Sequence, residues 1–248
     1  MNKKPWYSLW SFPVGYDGLE PAFIHHTDIA CASEFSTNFE NIKSEVLDFL
    51  AQQKATPYFK SSMVEGAKGY NTVSLLWWGI QFYKTQVNFP TLTRLMKDHP
   101  EILTISVNIL EANAAILPHM GDTNAIYRGH FGVKIPGELP AVGIRVNGES
   151  QSWREGQFIW FMDAYEHETW NHSNEHRIVL LVDILRPEYL QFRTWVCATV
   201  MTSLFLQKRI ETSPWVNRNQ GWIIKFVAPC LVPLAAVRIA WINFIRKY

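Results

Sequence analysis

Between residues 102 and 186 the chain carries a succession of short segments rich in Val, Ile and aromatic residues. They read ISVNIL, HFGVKIP, AVGIRV, QFIWFM and RIVLLVDI. Residues of these types favour β-strands, and the pair Asn147-Gly148 predicts a type I′ hairpin, while Gly156 marks another turn. Because no helical pattern separates these strands, the sequence predicts an antiparallel sandwich or jelly roll.

The part of the chain before these strands has helical patterns. Residues 34–53 place apolar side chains at helical spacing, and Thr37 with Glu40 predicts a capping box at the start of this helix. A shorter helix is predicted to begin at Pro90 and to end before His99. We expect these helices to cover one face of the sheet.

The C-terminal part is helical in pattern and unusually apolar. Two segments, 195–206 and 222–245, carry this pattern. The longest run without a charge in the second, 226–237, holds 12 residues and two prolines, against about 20 needed to cross a bilayer. Neither segment is therefore predicted to span a membrane. Tryptophan and basic residues indicate an interfacial surface, and packing on the β domain or in a dimer is the alternative.

A single domain with helical additions is the favoured organisation for 248 residues. Residues 1–100 are predicted to form an N-terminal support of helices and strands, and residues 101–187 the double-stranded β core. Residues 188–248 form the apolar helical C-terminal region. The fold class is therefore mainly β with added helices.

Charge and cysteine content exclude several classes of protein. With 23 basic and 22 acidic residues the net charge is +1, so no global field favours a nucleic-acid partner. The three cysteines are scattered and form no CxxC pair, which argues against a disulfide framework and a zinc knuckle. No signal peptide is predicted, so we expect the protein in the cytoplasm, free or peripherally attached to the inner face of the membrane.

Two histidines lie beside predicted strands and are candidates for metal binding. His119 occurs in ILPHMGDTN and His167 in DAYEHETWN, 48 residues later, and Arg177 follows after ten more. A histidine alone is more often structural than a ligand, so the neighbouring motifs decide. These motifs are PHMGDTNAIYRGH at 118–130, WREG at 153–156, EHETWN at 166–171 and RIVLLVD at 177–183.

In order and spacing, this set of motifs resembles the aspartyl/asparaginyl β-hydroxylase family over roughly residues 69–187. The resemblance implies a double-stranded β-helix, the cupin-like jelly roll, that binds Fe(II), 2-oxoglutarate and O2. It also implies a dioxygenase that hydroxylates an unactivated C–H bond while 2-oxoglutarate is converted to succinate. Iron and cosubstrate would supply the oxidising power, and the protein would supply positioning.

The resemblance gives both histidines a role at the catalytic centre. His119 and His167 would be the iron ligands. Most of the wider superfamily adds an Asp two residues after the first histidine. Here that position is Gly121, so the resemblance implies that water fills the carboxylate site. Asp122 lies one residue further on and would reach the metal only through a bent loop; otherwise it is a turn residue.

The resemblance also implies a set of residues for 2-oxoglutarate. Arg177 suits the distal carboxylate, because a guanidinium binds a carboxylate through two parallel hydrogen bonds. Arg128 and His130 alternate along one strand, so they would project to the same face and complete the cosubstrate site. Asn108 is assigned to the same set. The alternative for each arginine is a surface ion pair.

Several further residues border this predicted centre. Any of three carboxylates near His167 could orient a metal-bound imidazole. They are Asp163, Glu166 and Glu168. Trp153 and Trp170 are interpreted as core aromatics, and Tyr70 is expected to border the substrate site.

The substrate is less well determined than the chemistry. Peptide-hydroxylating members tend to carry a basic residue where this chain has Ile126, and Arg186-Pro187 before the apolar tail resembles the bacterial lipid-hydroxylating branch. EHETW is closer to the peptide-hydroxylating members. We expect a membrane lipid acyl chain, with an Asp or Asn side chain or another amino-acid-derived molecule as the alternative. An inactive cupin-like binding protein is the alternative of another class, and the oligomeric state stays open.

Overall fold

The computed structural model describes residues 4–11, 14–25, 27, 29–53, 55–57, 64–65 and 69–247. The strands of this described part are β1 (Phe23–Ile24), β2 (Thr56–Pro57), β3 (Val64–Glu65), β4 (Tyr70–Trp77), β5 (Ile80–Gln81), β6 (Ile102–Leu110), β7 (Ala114–His119), β8 (Ile126–Lys134), β9 (Val142–Val146), β10 (Glu149–Gln151), β11 (Phe158–Phe161), β12 (His167–Asn171) and β13 (Arg177–Leu185). Its helices are α1 (Ser8–Ser11), α2 (Ala32–Thr37), α3 (Phe39–Gln52), α4 (Tyr83–Gln86), α5 (Pro90–Asp98), α6 (Arg193–Thr212), α7 (Pro214–Arg218), α8 (Gln220–Trp222) and α9 (Ala228–Lys247).

The strands form two antiparallel sheets. The large sheet has the order β1-β11-β8-β13-β6-β4-β2, with β5 paired to β4, and the small sheet has the order β10-β9-β12-β7-β3. Strands distant in sequence are neighbours, which is typical of a jelly roll. The predicted fold class is confirmed. Because β4 belongs to the large sheet, that sheet extends beyond the predicted core range of 101–187.

The central strand β13 shows how the sheet divides the core. Its even-numbered residues, such as Leu180 and Val182, are buried with residues of α2, α3 and α5. Val179 lies instead in the apolar cluster between the two sheets. Successive side chains of a strand point to opposite faces, so Arg177 and Asp183 share the inner face with Val179. One face of the sheet therefore carries the helices, and the other carries polar residues.

The predicted N-terminal helix over 34–53 is present as two helices, α2 and α3, which meet at Asn38. The predicted capping box is wrong. The hydroxyl of Thr37 donates to the carbonyl of Ser33 one turn earlier, and α3 has no side-chain cap bond. A threonine hydroxyl that is satisfied within its own helix no longer serves the next one.

Two other local predictions are confirmed. Helix α5 begins at Pro90 and ends before His99. Asn147 and Gly148 have φ values of 46° and 85°, the positive values that a type I′ hairpin needs at both central residues. The hairpin joins β9 to β10.

The C-terminal region packs along the β domain. Val196 and Val200 of α6 are buried in a cluster with Trp78 and Leu103. After a π-helical turn (Ile223–Val227), α9 continues to the end of the described chain.

By length and composition alone, the helical stretch Gln220–Ile245 is long and apolar enough to cross a membrane. The prediction that neither C-terminal segment spans a membrane stays a prediction, since this criterion uses length and composition only. Pro233 lies inside α9 without ending it. Nevertheless the helix is held against the domain near both ends. Ala228 is fully buried, and the amide of Asn243 bonds the carbonyl of Gly79 and the N–H of Gln81, both at 2.8 Å.

We predict that Leu180→Ala lowers the free energy of unfolding by about 2–5 kcal/mol, because it leaves a cavity in a fully packed layer. Leu19→Ala is the matched control, since Leu19 is fully exposed and its truncation removes almost no contact. Urea denaturation followed by tryptophan fluorescence measures both variants. Equal effects of the two substitutions would contradict the assignment of this layer as core.

Candidate active site

Two adjacent strands of the small sheet bring the predicted histidines together. Strand β12 pairs antiparallel with β7, and His167 lies directly opposite His119. Their ring centroids are 4.2 Å apart. His167 is buried and His119 is partly exposed. The strand register therefore joins two residues that are 48 positions apart in the sequence.

Both imidazoles are oriented by backbone carbonyls. Nδ1 of His119 lies 2.8 Å from the carbonyl oxygen of Leu117, and Nδ1 of His167 lies 2.9 Å from that of Tyr165. A carbonyl oxygen only accepts, so each Nδ1 carries the proton and each Nε2 keeps its lone pair for a metal. Burial, and then the proximity of His119, holds the pKa of His167 well below its usual range. The neutral imidazole that binds a metal is thus favoured.

The carboxylate of Asp163 occupies the space beside Gly121. A Cβ at position 121 would lie 1.8 Å from Oδ2 of Asp163, so any side chain larger than glycine would displace that carboxylate. Oδ1 of Asp163 lies 3.5 Å from Nε2 of His167. The sequence predicts water near Gly121; the structure adds a buried carboxylate from the strand connection next to it.

Asp122 is directed toward the C-terminal region. Its Oδ1 accepts a hydrogen bond of 2.8 Å from Nε2 of Gln207 and a longer one of 3.5 Å from the hydroxyl of Ser203, both in α6. These contacts favour a positioning role for Asp122 over the alternative of a metal ligand. The loop that follows His119 is in this way joined to α6.

Arg128 lies between two buried carboxylates. It makes a two-pronged contact with Asp183, at 2.7 and 3.0 Å, and its Nη1 lies 2.6 Å from Oδ1 of Asp163. The pKa of Asp163 is raised to about 7, mainly by burial. The nearby charge of Arg128 lowers this pKa, whereas the carboxylates of Asp183 and Asp122 raise it. The role predicted for Arg128 at the cosubstrate stays a prediction, and the structure adds an ion pair with acids of the protein itself.

A cavity of about 360 Å³ opens beside His119. Polar residues of β4 and β6 line it, among them Tyr70, Thr72, Ser106 and Asn108. Oδ1 of Asn108 accepts hydrogen bonds from the hydroxyls of Thr72 at 2.8 Å and of Ser106 at 3.3 Å. With its oxygen engaged, Asn108 offers its amino group to a ligand. The cavity also includes His119 and Arg128.

Arg177 is buried, 1% exposed, without an acidic partner among the described residues. Its Nε and Nη1 have no hydrogen-bond partner in that part of the chain. Burial lowers its pKa to about 10, so the guanidinium is still charged at neutral pH. A buried cation with free donors costs several kcal/mol unless an anion pairs with it.

Aromatic rings connect Arg177 to the histidine pair. Its guanidinium lies 4.4 Å from the ring centre of Trp153, and Trp153 stacks on His130 at 5.9 Å. Phe161 follows, 5.1 Å from His130 and 5.2 Å from His167. Nδ1 of His130 is buried without a partner among the described residues, and burial holds the pKa of His130 well below its usual range. His130 is therefore a neutral ring with a free polar atom.

The residues present fit the groups that the resemblance implies. Among the described residues, no cluster of three or more His, Cys, Asp or Glu side chains is arranged to hold a metal ion. The two Nε2 atoms of His119 and His167 are the donors that would bind iron. The free donors of Arg177 match a carboxylate such as the distal one of 2-oxoglutarate.

The three acids near His167 have separate roles. Asp163 faces the metal-binding end of the imidazole. Glu168 pairs with Arg145 on the outer face, and the backbone carbonyl of Glu166 accepts from Asn147 at 2.9 Å. No side chain of this group orients Nδ1 of the histidine, which the carbonyl of Tyr165 does instead.

Sequence reasoning missed three residues of this site. Asp183 was seen only as the end of a strand, and Thr72 and Ser106 were not singled out. The sequence contains a signal for such residues, because β4 and β6 are polar at every second position, which places these side chains on one face of the sheet. The residues are Thr72 and Ser74 on β4, and Thr104, Ser106 and Asn108 on β6. Trp153, interpreted as a core aromatic, is buried but also contacts Arg177.

Comparison with known proteins gives a family match. The family described as aspartyl/asparaginyl beta-hydroxylase matches residues 36–187, which is more than half of the chain. The ornithine lipid ester-linked acyl 2-hydroxylase of Rhizobium tropici is 29% identical over 161 residues, covering 63% of this chain and 57% of that protein. The aspartyl/asparaginyl beta-hydroxylase of Homo sapiens is 33% identical over 104 residues, covering 40% of this chain and 14% of that protein.

The chain therefore spans only part of these relatives, 57% of the Rhizobium tropici protein and 14% of the human protein. Among solved structures, the non-heme alpha ketoglutarate dependent epimerase SnoN from nogalamycin biosynthesis is similar with a TM-score of 0.41 and 13% identity. That match covers 65% of this chain and 88% of the other.

We predict that His119→Ala and His167→Ala each abolish binding of one Mn(II), an inert substitute for Fe(II), because each removes one of two imidazole ligands. Electron paramagnetic resonance of free Mn(II) measures the binding. His172→Ala is the control, since His172 is exposed and follows β12. A metal-bound structure with Asp122 or Asp163 directly coordinated would show that the two-histidine account is wrong.

We predict that Arg177→Ala weakens 2-oxoglutarate binding to the Mn(II)-loaded protein roughly 10- to 100-fold, the loss of a charge-assisted bond worth about 1.5–3 kcal/mol. Arg177→Lys should restore only part of the affinity, because an ammonium lacks the two-pronged geometry. Isothermal titration calorimetry measures both. Arg145→Ala, which removes an exposed arginine, is expected to bind like the wild type; an unchanged affinity in Arg177→Ala would remove Arg177 from the site.

Proposed function

Because this chain belongs to the aspartyl/asparaginyl β-hydroxylase family, we propose that it is an Fe(II)- and 2-oxoglutarate-dependent hydroxylase acting on the acyl chain of a membrane lipid. One observation carries the proposed chemistry. The buried Arg177, with free donors, is connected through ring contacts to the adjacent imidazoles of His119 and His167, whose Nδ1 atoms are held by backbone carbonyls. A metal and a dicarboxylic cosubstrate would each find a ligand there.

The side chains of this site have separable tasks. When bound, iron, 2-oxoglutarate and O2 supply the oxidising power for C–H hydroxylation. His119 and His167 hold the metal, and Arg177 holds the distal carboxylate. Arg128 keeps Asp163 in place beside His167 through their ion pair. The surrounding apolar and aromatic residues exclude water, so the polar contacts act at full strength.

Two observations support a lipid substrate. The relative from Rhizobium tropici is named as a hydroxylase of an ester-linked acyl chain in ornithine lipid. In addition, α9 and the segment before it present bulky apolar side chains to solvent. They include Trp215, Trp222, Phe226, Leu234, Trp241 and Phe244. Such a surface suits a helix that lies in the membrane interface, and we propose that the protein is cytoplasmic and attached there.

A peptide substrate is the second candidate. The human relative is named as an aspartyl/asparaginyl beta-hydroxylase, and it is 33% identical to this chain over the matched residues. A cupin-like binding protein without oxygenase activity is a third candidate of another class. The three candidates differ in products: a hydroxylated lipid, a hydroxylated peptide, or no iron-dependent succinate.

An untargeted turnover assay separates these candidates. Purified protein with Fe(II), 2-oxoglutarate and O2 is offered extracted membrane lipids in one arm and a peptide pool in another. Succinate and substrates heavier by one oxygen are measured by mass spectrometry. We expect product only in the lipid arm, and none in either arm for His167→Ala. Product only in the peptide arm would overturn the lipid substrate, and no succinate in any arm would overturn the hydroxylase.

We predict that the double variant Trp241→Ser, Phe244→Ser binds anionic vesicles at least about tenfold more weakly, since each aromatic side chain contributes about 1.5–3 kcal/mol when buried. Both side chains are 60% exposed, so folding is expected to be preserved. Vesicle flotation measures the binding. Leu19→Ser with Val87→Ser is the control, because these residues are exposed outside the C-terminal region. Equal binding of both double variants would make α9 a packing element only.

A further inference from the structure

A groove of about 580 Å³ runs between α6 and α9. Its walls are apolar and come from both helices and from the end of β4. They include Trp77, Met201, Leu204, Phe205, Leu231 and Leu234. Phe205 is 47% exposed and Leu234 is 64% exposed, so the groove opens to the surface. Its volume lies in the range of about 300–1,000 Å³ that is typical of small-molecule sites.

The groove adjoins the cavity of the candidate active site. Trp77 and Leu204 line both spaces, and the cavity also includes His119. The lining of the two spaces changes in character from one to the other. It is apolar between the helices and becomes polar at β4 and β6, where Thr72 and Asn108 lie. A molecule with a long apolar part and a polar end matches this order.

We propose that the groove binds the acyl chain of an anionic membrane lipid and directs it toward the histidine pair. The inference rests on the proposed hydroxylase function and names the route by which its substrate enters. The occupant is an alkyl chain, because the side chains of the two packed helices that wall the groove are mainly apolar. The alkyl chain displaces water from the groove, and this removal of apolar surface from water supplies the favourable free energy of binding.

Charge favours an anionic lipid over a neutral one. Lys208 and Arg238 line the groove, and no acidic residue is among the described residues that line it. Neither cation makes an ion pair within the described part of the chain. These cations would attract a membrane surface that carries anionic lipids, while the carboxyl end of the bound chain reaches the polar cavity.

The position of the groove also suits an acyl chain that enters from a membrane. Leu234 lies on its wall, and exposed Val237 and Trp241 follow on α9. If the exposed apolar side of α9 enters the membrane interface, the groove opening comes to lie at the same level. A lipid chain would then reach the site without crossing water.

A groove-filling variant tests the proposal. Ala235 lines the groove and Ala240 is exposed on the same helix away from it. We expect Ala235→Trp to bind the fluorescent fatty acid cis-parinaric acid at least about tenfold more weakly than the wild type, because indole overfills the space. Ala240→Trp, the matched control, should bind normally. Circular dichroism and Mn(II) binding establish that both variants are folded. Wild-type affinity in a folded Ala235→Trp would overturn the proposal.

A second measurement uses the wild-type chain alone. Fatty acids with a nitroxide near the carboxyl end or near the methyl end are bound to the Mn(II)-loaded protein. We expect Mn(II) to broaden the signal of the label near the carboxyl end more strongly, since that end reaches the histidines. Equal broadening at both positions, or none at either, would overturn the proposed direction of the chain.

Other occupants and the failure of the proposed function give different results. Analytical ultracentrifugation of wild type and Ala235→Trp tests for a second copy in the groove: a dimer that the substitution dissociates, without loss of fatty-acid binding, would overturn the lipid assignment. Succinate formation with iron and 2-oxoglutarate tests the hydroxylase function independently. Lack of succinate with intact parinarate binding would overturn the function, whereas succinate without parinarate binding would overturn the groove.

Discussion

The buried contact between Arg128, Asp163 and Asp183 is the interaction on which the geometry of the site depends. Arg128 and Asp183 lie on adjacent strands of the large sheet, whereas Asp163 precedes the small-sheet strand that carries His167. The ion pairs therefore connect the two sheets at the end of the jelly roll where His119 and His167 lie. Removal of one member would leave an uncompensated buried charge, which is strongly destabilising. Asp163 lies in the segment that leads into β12, and its ion pair with Arg128 holds this segment in place. The position of His167 opposite His119 depends on that segment.

The C-terminal region is part of the same arrangement. Ser203 and Gln207 of α6 bond Asp122, which follows the first histidine closely, and Leu204 between them lines both the groove and the cavity. One helix therefore positions the loop that follows His119, walls the cavity of the candidate active site and forms a side of the proposed substrate route. This sharing gives a physical reason for an apolar tail next to a polar site, and it makes removal of the whole tail a poor test of membrane binding.

Local sequence signals were reliable where a single residue type determines the backbone. Asn147-Gly148 predicted the hairpin, because both residues readily adopt positive φ values. Pro90 predicted the start of α5, because the first residue of a helix does not need its backbone N–H. The capping box failed at Thr37, whose hydroxyl can either donate to the carbonyl of Ser33 or accept from the N–H of Glu40, two alternatives that the sequence cannot rank. The helical pattern predicted over 222–245 corresponds to a continuous helical stretch that Pro233 does not end, since a helix packed on a domain tolerates a proline that an isolated helix would not.

By itself, the sequence determined the class of fold, the two histidines and Arg177 as candidates, and the family resemblance, because strand patterning and motif order are properties of a linear chain. The candidate roles of these residues are still predictions. Only the tertiary structure decided which carboxylates meet Arg128, which donors of Arg177 stay free, and where the apolar groove joins the polar cavity. These features depend on strand register and on the packing of α6 and α9 over large separations in sequence. Distances and burial of this kind arise only when the two sheets and the helices assemble.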